Sequence, residues 1–387
     1  MMIGFSSRVA ASTCALCVAG VLALVPAAAD PAPPGRPRAA VPQPSLLYRS
    51  GTQVRPHPGA PEVPAVSALS WLVADARGGE VLAASDAHRR LPPASTLKTL
   101  FALTVLPTLP GGVRHTVDTR ELQDVGEGSS LVGVVEGQTY RVADLWRGVF
   151  LSSGNDAVHV LASLSGGWRA TAARMQARAR ALGAVDTHVV SPDGYDMPGQ
   201  VSSAYDLAVF GRAGLRNPDF ARYCSTAEAR FPGEDGGWYG IENTNRLLTG
   251  EDGVEPYPGL IGIKNGYTSD AGNTLVAAAR RGGRTLVVTV MNPQEGGGFA
   301  VYEEARALLD WGFAASGRVD PVGSLDALAP RRPHSSASPA PVAAAAPLAP
   351  DGGSDWPDTG IIAGAAGLGT AAVALALRAK GSRKADG

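Results

Sequence analysis

Apolar residues follow two different periods between about residues 66 and 318. The runs at 67–87 and 274–292 each contain two β-rich segments around an Arg-Gly-Gly turn, which predicts two β-hairpins. Residues 301–313 have apolar positions at helical spacing, with Gly312 as the predicted stop. Because hairpins at both ends enclose helical segments, the pattern favours an α/β fold of the α+β class, with an antiparallel sheet and helical layers, over a doubly wound parallel sheet.

The first 29 residues have the pattern of a secretory signal peptide. A basic residue, Arg8, precedes an apolar run at 15–25, and an A-x-A cleavage pattern ends at Ala29. Residues 30–65 are rich in proline and are predicted to form an N-terminal linker. The protein is therefore expected to be exported and to act outside the cytoplasm.

The C-terminal segment predicts a spacer followed by an anchor. Residues 319–355 form a Pro/Ala-rich linker with too few large apolar groups to fold. Residues 356–387 contain an uncharged run at 361–377 followed by a basic tail, near the lower length limit for a single bilayer span with a cytoplasmic C-terminus. This tail also resembles a Gram-positive cell-wall sorting signal cut after Thr359, with Trp356 in place of leucine. A membrane span and attachment to the cell wall both stay open.

The composition argues against nucleic-acid binding and against an internal disulfide bond. The formal net charge is -1, so no basic excess points to nucleic acid. Arg174, Arg178 and Arg180 cluster in a segment that reads as the solvated face of a helix closed by Gly183. After signal removal only Cys224 remains, so no internal disulfide can form, and this cysteine is interpreted as a small buried filler.

The segment PPASTLKTL at 92–100 places a serine and a lysine three residues apart. Ser95 and Lys98 then lie on one face of a helix, close enough to share a proton. If burial drives the amine of Lys98 toward its neutral form, it can activate the serine as a nucleophile. A solvated lysine on a helix is the default alternative, because an S-x-x-K pair on its own is a weak signal.

Two later segments carry further polar residues of the same kind. In FLSSGNDAVHVLA, Ser153 and Asn155 flank Gly154 at a predicted helix N-terminus, where a capping serine is the alternative. In GLIGIKNGYTSDAG, Lys264 ends a β-rich run and is followed by Asn265 and a glycine. A simple Asn-Gly turn is the alternative there.

In this order, the three segments resemble the S-x-x-K, S-x-N and K-T-G motifs of the penicillin-recognising serine enzymes. Together with SPDGYDMPGQVSSAYDLAVFGR (191–212) and ALLDWGF (307–313), they are similar to successive landmarks of the low-molecular-weight D-alanyl-D-alanine carboxypeptidases across nearly all of residues 66–318. The resemblance implies a β-lactamase/transpeptidase-like fold, in which helices flank an antiparallel sheet and a helical subdomain is inserted. It also implies cleavage of terminal D-alanine from peptidoglycan stem peptides, and inhibition by β-lactam antibiotics.

The resemblance also implies a role for each matching residue. Ser95 would attack the carbonyl between two D-alanines and form an acyl-enzyme, after Lys98 accepts its proton. Ser153 would relay a proton to the leaving amine, and Asn155 would hold a substrate amide. Lys264 would attract the substrate carboxylate.

The third segment departs from the family pattern. Asn265 stands where Thr or Ser is usual, so the hydroxyl that would bind the substrate carboxylate is missing. The loop at 293–304 also lacks the arginine that many relatives have there. Gly266 and Tyr267 complete the predicted substrate-binding set, and the N–H groups of Ser95 and Tyr267 would form the oxyanion hole.

Two other functions stay open. A class A β-lactamase would need a deacylating glutamate, and the loop at 191–203 contains none. A non-catalytic, wall-anchored peptidoglycan-binding protein would not react with penicillin. The six histidines form no metal pattern, and no metal or cofactor is predicted. His159, one turn beyond Asn155, is interpreted as a core histidine.

Overall fold

The structure is a computed structural model that describes residues 46–326 and 328. The predicted signal peptide, residues 30–45 of the predicted N-terminal linker, most of the predicted C-terminal linker, Thr359 and the C-terminal tail lie outside the described residues. Within the described part of the chain, no helix has the length and apolarity needed to cross a bilayer.

The described residues form twelve strands and eight α-helices. The strands are β1 (Thr52–Pro56), β2 (Ala68–Asp75), β3 (Glu80–Ser85), β4 (Arg114–Thr116), β5 (Thr139–Arg141), β6 (Glu228–Pro232), β7 (Trp238–Glu242), β8 (Leu260–Thr268), β9 (Gly272–Arg281), β10 (Arg284–Pro293), β11 (Val319–Asp320) and β12 (Gly323–Ser324). The helices are α1 (Lys98–Val105), α2 (Val142–Phe150), α3 (Asn155–Leu164), α4 (Trp168–Ala181), α5 (Ala204–Gly214), α6 (Pro218–Cys224), α7 (Arg246–Thr249) and α8 (Ala300–Ala315).

The main sheet has the strand order β11-β1-β3-β2-β10-β9-β8, and β12 pairs with β3. All of these pairs are antiparallel. Both predicted hairpins are confirmed, as β2–β3 and β9–β10. The helices α1 to α7 and two small hairpins, β4–β5 and β6–β7, are inserted between β3 and β8. The predicted fold class, with its inserted helical subdomain, is therefore confirmed.

Helices cover the sheet on both faces. Leu72 and Ala74 of β2 pack into the core that contains the inserted helices, whereas Trp71 and Val73 pack into the core that contains α8. Successive residues of a strand face opposite sides of a sheet, so both sets are buried. This double burial explains why the hairpin strands read as almost continuous apolar runs.

The predicted stop of the last helix at Gly312 is wrong. Helix α8 continues to Ala315, and Gly317, with φ of +78°, follows its end. A Cβ at Gly312 would lie 2.8 Å from side-chain carbons of both Leu286 and Val73. The glycine therefore allows α8 to approach the sheet closely and does not terminate the helix.

The folded part extends beyond the predicted bounds of 66 and 318. Strand β1, from the predicted N-terminal linker, pairs with β3, and β11 and β12, from the predicted C-terminal linker, pair with β1 and β3. All three strands are short, and β1 is only partly buried. Their hydrophobic pattern is therefore too weak to distinguish them from a linker.

The arginines of α4 and Cys224 lie where the sequence predicts them, on an exposed helix face and in the core. The arginine side chains of α4 are exposed, and Gly183 follows the helix in a left-handed conformation, with φ of +78°. The side chain of Cys224 is fully buried, and burial raises the pKa of its thiol to about 12. A thiol so resistant to ionisation is a packing residue rather than a nucleophile.

Candidate active site

Ser95 and Lys98 lie where a short 3-10 helix, Ala94–Leu97, continues directly into α1. Ser95 is half-buried, and Lys98 is 1% exposed. The Nζ atom of Lys98 donates a hydrogen bond of 2.7 Å to Ser95 Oγ. The two side chains are therefore close enough to exchange a proton directly.

Two more acceptors hold the amine of Lys98. Its Nζ donates to Asn155 Oδ1 at 2.7 Å and to the backbone carbonyl of Asp193 at 2.8 Å. Burial lowers the pKa of Lys98 to about 8, although the nearby carboxylates of Asp193 and Asp156 act in the opposite direction. Sequence reasoning missed Asp193, because a backbone carbonyl leaves no side-chain signal in a motif.

The scarcity of lysine in this sequence is a further signal of the site, which the three motifs do not include. The chain has lysine only at positions 98, 264, 380 and 384, although Lys and Arg together number 34. Of these, only Lys98 and Lys264 fall within residues 46–326, and both are 1% exposed. Arginine stays protonated in proteins, whereas a buried lysine can become neutral. The fold therefore uses lysine only where a buried, titratable amine is present.

The second segment surrounds the start of α3. Gly154 is the residue at the helix N-cap, and Ser153 does not cap the helix. Ser153 is 6% exposed and adopts a left-handed conformation with φ of 57°, which costs a non-glycine residue about 1–3 kcal/mol. Among the described residues, its Oγ has no hydrogen-bond partner. Its hydroxyl is thus buried with an unused hydrogen-bonding capacity, and Ser153 is not among the residues that line the cavity beside Ser95.

The third segment is part of a strand. Strand β8 runs without interruption through Asn265 and Gly266, so the alternative of an Asn-Gly turn is wrong. The Nζ atom of Lys264 donates to the backbone carbonyl of Asn265 at 2.8 Å. Burial lowers the pKa of Lys264 well below its usual value, and the charge of Lys98 lowers it further.

Gly266 brings β8 close to Ser95. A Cβ at this position would lie 2.6 Å from the backbone nitrogen of Ser95. On the neighbouring strand, Thr274 Oγ1 donates to the carbonyl of Pro93 at 3.0 Å. Only glycine allows this approach without a shift of the backbone.

These segments border a cavity of about 210 Å³. Ser95, Asn155 and Tyr267 line it, together with residues 127–130 and 194–196. Tyr267 is 68% exposed, whereas Lys98, Ser153 and Lys264 are buried. The structure thus places a half-buried serine at the cavity wall, with the lysine that contacts it buried in the protein.

Asn265 has neighbours that sequence reasoning did not identify. Its Oδ1 accepts a hydrogen bond of 3.0 Å from Thr244 Oγ1. The guanidinium of Arg246 donates to the carbonyl of Thr244 at 3.4 Å and lies 5.1 Å from the ring centroid of Phe299. Phe299 belongs to the loop that lacks an arginine. The hydroxyl of Thr244 therefore lies beside Asn265, whereas Arg246, the first residue of α7, lies near Thr244 and is paired with Asp252 at 2.6 Å.

His159 lies outside the serine cavity. It lines a separate cavity of about 620 Å³, and its ring centroid is 4.0 Å from that of Trp168. Burial lowers the pKa of His159, which favours the neutral imidazole. Across residues 46–326, no group of three or more His, Cys, Asp and Glu side chains is arranged to hold a metal ion.

The fold and the serine–lysine arrangement define an active-serine enzyme of the penicillin-recognising class. A family model of D-alanyl-D-alanine carboxypeptidases, peptidase family S11, matches residues 57–295, and the chain belongs to this family of serine peptidases.

Curated relatives and solved structures agree with this assignment. D-alanyl-D-alanine carboxypeptidase DacB2 of Mycobacterium tuberculosis is 41% identical over 270 residues, which cover 69% of this chain and 89% of the relative. DacD of Escherichia coli is 35% identical over 278 residues, covering 68% and 67%.

The crystal structure of a D-alanyl-D-alanine carboxypeptidase from M. tuberculosis matches with a TM-score of 0.64 and 40% identity, over 70% of this chain and 100% of that chain. A mutant of the Streptomyces K15 DD-transpeptidase matches with a TM-score of 0.59 and 28% identity, over 65% and 99%.

Proposed function

We propose that this protein removes the terminal D-alanine from peptidoglycan stem pentapeptides through an acyl-enzyme on Ser95, and that β-lactams acylate the same serine. The observation that carries the proposal is the 2.7 Å contact between Lys98 Nζ and Ser95 Oγ. Burial also brings the pKa of Lys98 to about 8, so a useful fraction of the amine is neutral near physiological pH.

In the proposed acylation, neutral Lys98 accepts the hydroxyl proton while Ser95 Oγ attacks the carbonyl between the two D-alanines. The backbone N–H groups of Ser95 and Tyr267 stabilise the negative charge that develops on the carbonyl oxygen. The proton taken up by Lys98 passes through the hydroxyl of Ser153 to the leaving amine as the C–N bond breaks, so free D-alanine departs and both side chains regain their starting protonation. Water then attacks the ester on Ser95 while Lys98 accepts its proton, and transfer of that proton to Ser95 Oγ releases the shortened peptide and restores the serine.

The second buried lysine has a separate proposed role. Two neighbouring buried ammonium groups are costly, as the lowering of the pKa of Lys264 by the charge of Lys98 indicates. The carboxylate of a substrate supplies a counter-charge for Lys264. Binding would then favour a charged Lys264 and a neutral Lys98, which is the state needed for attack. Asn155, which contacts Lys98, would also hold a substrate amide.

The rate of acylation is expected to increase with pH through about 8. Because the pKa of Lys98 is lowered to about 8, the neutral fraction rises from roughly a tenth at pH 7 to nine tenths at pH 9. The second-order rate of labelling by a fluorescent penicillin should therefore rise about tenfold over this interval. Stopped-flow fluorescence measures it, with circular dichroism at each pH as the control for folding. A flat profile between pH 6 and 9 would contradict the role of Lys98 as base.

Replacing Asn265 with threonine is expected to change kcat/KM for D-alanine release less than about threefold, which is the size of one weak hydrogen bond. The reason is that Thr244 already places a hydroxyl beside this position, 3.0 Å from Asn265 Oδ1. Removing the amide altogether, in Asn265→Ala, should lower kcat/KM about tenfold. Assay of D-alanine released from a pentapeptide measures both. A gain above tenfold in Asn265→Thr would show that the native site binds the carboxylate poorly.

The location of the enzyme follows from its substrate class. Peptidoglycan lies outside the cytoplasmic membrane, so the site acts outside the cytoplasm. We propose export by the signal at residues 1–29 and retention at the membrane or the cell wall by residues 356–387. Mass spectrometry of protein released by digestion of the wall distinguishes these two forms of retention. A C-terminus at Thr359 supports covalent attachment to the cell wall, and an intact tail supports a membrane span.

A further inference from the structure

A second cleft, of about 600 Å³, lies between the small hairpins β4–β5 and β6–β7. Its volume is within the range of about 300–1,000 Å³ that is usual for small-molecule sites. It shares no lining residue with the serine cavity. Trp238 lines this cleft and is 51% exposed.

The hairpin that carries Trp238 is anchored through its other face. Phe231 packs against Tyr140, with ring centroids 5.4 Å apart, and against Tyr239, with centroids 5.8 Å apart. The hydroxyl of Tyr239 also donates to the carbonyl of Val132. Because successive side chains alternate along a strand, fixing Tyr239 inward directs Trp238 to the opposite face. The anchoring contacts therefore leave the exposed indole out of the core.

The chemistry of the cleft suits a neutral, polyhydroxylated ligand. Arg114 and Arg141 face each other in the β4–β5 register, and Glu136 and Glu234 also line the cleft. With Asp144, three carboxylates and two guanidinium groups line the cleft, so it has no excess of positive charge, which disfavours a phosphate-rich ligand. Hydrogen-bonding groups of both kinds beside an exposed indole match a sugar, which has hydroxyl groups and an apolar C–H face that can stack on tryptophan.

One loop connects the two clefts. Ser130 lines the serine cavity and Val135 lines the second cleft, so at most about 18 Å of extended chain separates them. Asp156 holds this loop, since its carboxylate accepts from the backbone N–H groups of Val132, Gly133 and Val134 at 2.8–3.1 Å. The four residues before the scissile bond of a pentapeptide extend about 14 Å. The upper limit on the separation of the nearest lining residues of the two clefts is therefore compatible with a peptide bound at Ser95 whose sugar lies in the second cleft.

We propose that the cleft between the two hairpins binds the N-acetylhexosamine backbone to which the stem peptide is attached, with Trp238 as the stacking surface. This inference rests on the proposed carboxypeptidase function. It adds a preference for substrates that still carry sugar over free peptides.

The test compares D-alanine release from a free pentapeptide and from the same pentapeptide linked to its N-acetylhexosamine disaccharide. We expect the wild type to have a five- to tenfold higher kcat/KM for the sugar-linked substrate, the size of one aromatic stacking contact. Trp238→Ala should lose this preference, with less than a twofold change on the free peptide. Val185→Ala removes another exposed apolar side chain, 53% exposed, and should keep the preference.

Direct binding provides a readout that does not depend on catalysis. Titration of the full chain with an N-acetylhexosamine tetramer should change the tryptophan fluorescence of the wild type and of Val185→Ala, and not that of Trp238→Ala. Equal kcat/KM of the wild type on both substrates, or no fluorescence change, would overturn the sugar site. Absence of penicillin labelling would instead count against the proposed function, and the titration would still decide the sugar site.

Discussion

Replacing Ser95 with alanine is expected to abolish covalent labelling by a fluorescent penicillin and to lower D-alanine release at least about 10⁴-fold. The variant lacks the only atom that the proposed mechanism uses to form the acyl bond. Lys98 keeps its contacts with Asn155 and the carbonyl of Asp193, so the fold around the site should persist. Gel fluorescence and a D-alanine assay measure the two effects.

A matched serine provides the control for this substitution. Ser225 lies at the end of α6 and is exposed, and its hydroxyl contacts only the carbonyl of Arg222 among the described residues. Ser225→Ala should be labelled at the wild-type rate. If Ser95→Ala still formed a stable penicillin adduct, the nucleophile would be a different residue. If the wild type itself formed no adduct, the result would support a non-catalytic binding protein.

Replacing Lys98 with methionine is expected to slow acylation about 10³- to 10⁴-fold, because the serine loses its proton acceptor. Methionine has a similar length and no charge, so it fills the buried position without the desolvation of an ammonium group. The loss of three hydrogen bonds opposes this gain, so the free energy of unfolding at pH 7 should change by less than about 2 kcal/mol. Stopped-flow labelling and urea denaturation measure the two quantities, and acylation within tenfold of wild type would contradict the assigned role.

The same substitution has a signature in the pH dependence of stability. Burial lowers the pKa of Lys98 to about 8 in the folded state, from 10.5. Between these values the unfolded chain binds more protons, so stability should rise with pH by roughly 3 kcal/mol at most. Lys264, whose pKa is also lowered, adds to this rise in both proteins. Lys98→Met should therefore show a smaller slope than wild type, and an identical slope would show that Lys98 is not desolvated.

The sequence-based prediction of the fold succeeded where local patterns are strong. The hairpins β2–β3 and β9–β10 were visible because their strands are long and apolar and are separated by glycine turns. Strand β1, which lies next to the sheet edge, has the pattern of a linker because none of its side chains is fully buried. At Gly312, a stop signal was inferred from residue type, whereas the close approach of Leu286 and Val73 explains the glycine.

The residues of the candidate site also differ in whether the sequence alone could identify them. Ser95 and Lys98 could be identified from spacing, since three residues along a helical turn bring two side chains together. Thr244 could not, because it reaches Asn265 only through the packing of the loop before α7 against β8. The same holds for the carbonyl of Asp193, which comes from a loop 95 residues further along the chain.

The amino-acid sequence by itself determined the residue types of the site, their order and the hairpins that frame the sheet, because spacing and hydrophobic period are local properties of the chain. Tertiary structure alone decided the burial of Lys98 and Lys264, which lowers the pKa of both amines. It also decided the left-handed backbone of Ser153 and the exposure of Trp238. Desolvation and contacts between distant segments depend on which surfaces meet when the chain packs, and no local pattern records them.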